Sequence, residues 1–162
     1  MKSICNAARA IFWGGLLCGV LDISQAFLAW GLLMNVPPYR TLQSVANGAL
    51  GQRSFVMGWR SAVLGLFFHF VIAFGAATVY WVASRFIHWM IEHPVPAGMI
   101  YGECVYLFMN LVVVPLSEIG HRPAITLPQI LTGPIGHVIL VGPPIALAVK
   151  RYSGRDSSAS KN

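Results

Sequence analysis

Residues 61–84, SAVLGLFFHFVIAFGAATVYWVAS, decide the fold. No charged side chain interrupts them apart from the titratable His69, and a helix of this length, rising about 1.5 Å per residue, crosses a hydrocarbon core of roughly 30 Å. Lipid offers no partner to a backbone N–H or C=O, so such a segment must satisfy its own backbone as a helix. Working outward, 11–34, 95–116 and 127–149 are apolar runs of similar length. Together the four predict an all-α integral membrane four-helix bundle, a single domain over 1–152. The polar stretch 153–162 is expected to be a disordered tail.

The composition agrees. Of 162 residues 56% are hydrophobic and only 10% charged, with a mean hydropathy of +0.66; a soluble domain carries roughly a quarter of its residues as charges. Three cysteines, Cys5, Cys18 and Cys104, cannot pair evenly, which argues against a disulfide scaffold. The net charge of +6 lies almost wholly outside the apolar runs, where it reads as topology signal and contact with anionic lipid. It forms no basic groove with interleaved aromatics, so no nucleic-acid partner is expected.

Basic residues divide into Lys2, Arg9, Arg85, Lys150, Arg151, Arg155 and Lys161 on one side and Arg40, Arg53, Arg60 and Arg122 on the other. Seven against four predicts both termini in the cytoplasm of a bacterial inner membrane. The first run is too long for a signal-peptide core and lacks a small-x-small cleavage site, so it is read as a retained span. In the one long connection, 35–60, Leu42, Val45, Ala46 and Ala49 recur at helical spacing opposite Gln43, Ser44 and Asn47. This pattern predicts a short periplasmic interfacial helix, with Leu42, Val45 and Ala49 turned toward lipid or the bundle.

Five polar residues fall inside the spans: Asp22, His69, Glu103, Asn110 and His137. An ionisable side chain near the bilayer centre costs about 2.5–3.5 kcal/mol on the most lenient scale, so these are the candidate intramembrane polar site. Counting rises from the span ends puts Asp22, His69 and His137 about 16–18 Å, and Glu103 about 12 Å, from the cytoplasmic boundary. At similar depths, an acid paired with an imidazole is the least costly arrangement. Gly15-x-x-x-Gly19 with Asp22 and Gly98-x-x-x-Gly102 with Glu103, then Gly65-x-x-x-His69 and Gly133-x-x-x-His137, suggest a weak parallel repeat of two spans. Pro115, Pro128, Pro134, Pro143 and Pro144 puncture the last two spans, and Gly133-Pro134, one turn before His137, is the most suggestive break.

Outside the spans, Glu118, His121 and Arg122 read as a solvated cluster with a local ion pair worth about 0–1 kcal/mol. No Walker loop, HExxH, CxxC pair or Ser-His-acid spacing occurs. The chain is therefore read as carrying no catalytic residue, no cofactor and no dedicated metal site.

His69, Tyr80, Gly98, Gly102, Pro115-Leu116, Leu127-Pro128, Gly136-His137 and Lys150-Arg151 follow one another in an order that resembles the YagU-like group of bacterial inner-membrane proteins. The resemblance covers roughly half the chain and implies a four-span fold; it carries over no activity.

Three functions remain. In the first, the acids and histidines are interhelical hydrogen-bond partners and the protein has a structural or interaction role, with membrane lipids and a second copy or a membrane complex as partners. In the second, Asp22, His69, Glu103 and His137 form a small proton or cation relay. In the third, the apolar groove and interfacial helix handle lipid or quinone.

Overall fold

The computed structural model describes residues 2–120 and 126–157; of 2–4 and 154–157 it describes the backbone alone. His121 and Arg122 of the expected charged cluster lie outside the described residues. Of those residues 90% are helical and none is in a strand.

Helix α1 is Lys2–Met34. Asn35, at φ 53°, turns the chain out of it, with its N–H bonded to Gly31 O and that of Val36 to Trp30 O. Pro37 and Pro38 then open α2, Pro38–Leu50, where a missing N–H costs nothing. A short 3-10 turn, Gly51–Phe55, leads to α3, Trp59–Phe86. After the single turn Trp89–Glu92 come α4, Pro94–Leu116, and α5, Leu127–Ser153. Helical backbone continues from α5 to Ser157, into the start of the polar tail. Helices α1 (over Cys5–Met34), α3, α4 and α5 are each long and apolar enough to cross a membrane, and they fall on the four runs read from the sequence.

Small residues set how the four pack. Helix α1 lies between α3 and α5, and α4 packs along α5. Gly14 faces Ile145 and Ala148, while Gly15 and Gly19 leave room for the rings of Phe74 and Phe70 on α3. Where α4 crosses α5, Gly142 meets the carbonyl of Gly98, and Gly102 meets that of His137; a methyl group at either glycine would collide with backbone. At the end of the bundle nearer the termini, Ala10, Ala77, Tyr80, Ile145 and Val149 form a close-packed core. Tyr80 Oη donates to Met90 O at 3.0 Å, and Tyr101 Oη of α4 donates to Ala76 O of α3 at 2.7 Å.

The other half of the bundle is looser, and α2 lies across it. Gly65 on α3 is the crossing point, since only a glycine admits the Leu42 carbonyl there. The residues of α2 that protein covers are Thr41, Gln43, Ala46 and Asn47, whereas Leu42 and Val45 are half-buried and Ala49 is exposed. Polar Gln43 goes inward because partners wait for it: its Nε2 donates to Gly58 O at 2.8 Å and Ser61 Oγ at 3.3 Å, and its Oε1 accepts from Arg40. The Glu118 N–H bonds to Gly48 O at 3.0 Å and ties the end of α4 to the same helix.

Candidate functional site

Proline shapes the site. Pro134 has no N–H to return to Ile130 and would clash with that carbonyl in a regular helix. The chain answers at Gly133, which takes a non-helical ψ of −108°. Widened π turns occupy Leu131–Ile135 and His137–Val141, the latter just before Pro143-Pro144, and Met109–Val113, just before Pro115. Such turns leave carbonyls without their usual donor and often mark functional places.

Two side chains cap the break. His137 Nδ1 lies 3.1 Å from Thr132 O and 2.9 Å from Gly133 O. Gln25 of α1 reaches over with its Nε2 3.2 Å from Thr132 O and 3.1 Å from Asp22 Oδ1. The carboxamide fits only because Gly136 has no side chain where it lies. Opposite, His69 Nε2 on α3 stands 2.8 Å from Gly19 O on α1. Carbonyls only accept, so His137 carries its hydrogen on Nδ1 and His69 on Nε2. The lone pairs of His137 Nε2 and His69 Nδ1 are then left to accept a hydrogen bond.

Between the loose halves of the four helices, with α2 across them, is a cavity of about 400 Å³. Asp22, His69, Asn110 and His137 all line it. Asn110 donates its Nδ2 to Tyr106 O at 2.7 Å, which leaves its carbonyl oxygen as an acceptor. The ring of Tyr106 meets that of His137 edge-on at 5.6 Å. Four of the five polar residues singled out in the sequence thus share one space. Glu103 does not line it: it is half-buried, and the residues one turn away, Met99, Ile100 and Leu107, are exposed on the outer face of α4.

Among the described residues neither imidazole is hydrogen-bonded to a carboxylate; each has a backbone carbonyl instead. The reason is the broken helix and the glycine seam, which offer carbonyls closer at hand than any acid. Sequence reasoning passed over Gln25 as a bridge, Thr132 as a freed carbonyl, and the polar roof of Thr41 and Asn47, both of which line the cavity. The signal for the last was the burial demanded by Gly65, a glycine placed to receive a crossing backbone.

No protein-family model matches the chain, and neither the curated proteins nor the solved structures yield a similar one.

Proposed function

We propose that the chain is a multi-pass inner-membrane protein with cytoplasmic termini, in which the cavity binds a proton or small cation and releases it across the bilayer. The observation that carries this reading is the shared cavity: Asp22, His69, Asn110 and His137 line one hollow beside a broken helix. An acid in such a place is the natural counter-ion, and a discontinuous helix near the midplane is a recurrent feature of cation sites in membrane carriers. Glu103 has no part in this relay.

The closed core around Tyr80 and Ile145 lies between the cavity and the termini, so passage requires that half to part. The break at Gly133 and the backbone contact of Gly98 with Gly142 give α5 a hinge and a sliding seam for it. A structural role has its own support in the His69–Gly19 and Gln25–Thr132 bonds, which join helices. The YagU-like likeness of the second half of the chain is compatible with either reading.

Proteoliposomes decide between them. Native protein should pass protons or potassium faster than empty liposomes, and Asp22→Asn should abolish the difference while leaving the fold intact. Absence of flux in the native protein, with a loss of stability in the variant, favours the structural role.

A further inference from the structure

We propose that the occupant of the cavity is an organic ammonium with an apolar, preferably aromatic, body. This rests on the cation reading above and deepens it by naming the class of cation.

Charge comes first. Asp22 is the one carboxylate among the described lining residues, and no lysine or arginine is among them. Its Oδ1 accepts a single bond, from Gln25. The polar wall also offers an acceptor. The Asn110 carbonyl oxygen is free of the bond its amide makes. Thr41 and Asn47, each only 8% exposed, close the roof.

Size and wall chemistry then choose the kind of cation. A space of about 400 Å³ falls in the range of small-molecule sites, far beyond that of a bare ion. The remaining walls include Ile23, Ile72 and Met109, which an apolar body would cover, together with Trp30 and Tyr106, against which an aromatic body can pack. A metal ion would need convergent ligands, and among the described residues no three of His, Cys, Asp and Glu come together.

The adjoining hollow of about 380 Å³, which shares Trp30, Thr41 and Ser44 with the cavity, sets the orientation. Arg40 lines that second hollow, and its guanidinium lies 5.7 Å from the ring of Tyr39 and 5.8 Å from that of Phe55. Its positive charge repels a cation. The ammonium end therefore belongs at Asp22 and the apolar end toward Trp30.

The test uses the purified full-length chain in detergent, titrated with benzyltrimethylammonium by calorimetry and by quenching of tryptophan fluorescence. Neopentylbenzene, the same shape without the charge, is the control. Benzyltrimethylammonium should bind saturably, at least tenfold more weakly to Asp22→Asn than to native protein, with Asp22→Glu retaining most of the affinity. Trp30→Phe should remove most of the quenching. Equal binding of the neutral control, or undiminished binding to a folded Asp22→Asn protein, overturns the proposal. If proton or potassium flux depends on Asp22 while the ammonium neither binds nor blocks it, the organic-cation inference fails and the passage reading stands. Ammonium binding that depends on Asp22 without any flux supports the inference and overturns passage; neither binding nor flux overturns both.

Discussion

Gly136 on α5 leaves open the space that the Gln25 carboxamide of α1 fills: a methyl group there would run into the amide nitrogen. That amide joins Asp22 to the freed carbonyl of Thr132, so one missing side chain holds together the acid and the broken helix.

Gly136→Ala should therefore destabilise the protein by about 1–3 kcal/mol, the usual cost of overpacking. Gln25→Ala should restore part of that loss, because the obstacle is a side chain that truncation removes. A double-mutant cycle on unfolding midpoints in detergent measures the coupling. Strict additivity would mean that the two residues do not meet.

The glycines of the bundle divide by what faces them. Gly142→Ala puts a methyl group against the backbone of Gly98, where no side chain can yield, and should cost about 1–3 kcal/mol or prevent folding. Gly75→Ala, in the interior of α3, meets nothing within 4 Å and should be neutral or gain up to about 1 kcal/mol from helix propensity. Thermal melts of the two variants check the contrast.

Pro134→Ala returns a backbone donor to Ile130 and lets α5 become regular around Gly133. Hydrogen exchange over 130–138 should slow, and any cation flux should fall as the carbonyls of Thr132 and Gly133 leave the reach of His137 and Gln25. Faster exchange there would show that the proline stabilises the break instead of causing it.

The four apolar helices were legible because span length and hydropathy are properties of contiguous sequence. Asp22, His69, Asn110 and His137, which line the cavity, stand out in the sequence because each is an exception within its apolar run. What each residue bonds to was hidden. The hydrogen bonds of His69 and His137 go to carbonyls made accessible by Gly19 and by the Gly133-Pro134 break, and no pairing rule among side chains gives that. Glu103 misled through depth alone: a count of rises gives height in the bundle, while the exposed Met99, Ile100 and Leu107 show that it stands on another face. The covered face of α2 was hidden for a related reason. Amphipathic spacing ranks residues by polarity, but Gln43, 1% exposed, is buried because Gly58 and Ser61 satisfy it.

Orientation follows from the basic bias alone. Reporter fusions after Asn162 and within α2 at Asn47 should report opposite sides, the first cytoplasmic and the second periplasmic. A periplasmic C-terminus would invert the direction in which the cavity opens.

Cation handling, as proposed, belongs to the cavity around Asp22 and not to intramembrane acids in general. Proton and potassium flux into proteoliposomes, measured side by side for native protein, Asp22→Asn and Glu103→Gln at matched folded content, tests it most directly. Flux is expected in the native protein, its loss in Asp22→Asn, and its retention in Glu103→Gln, since Glu103 does not line the cavity. Flux that survives Asp22→Asn but vanishes in Glu103→Gln would contradict it.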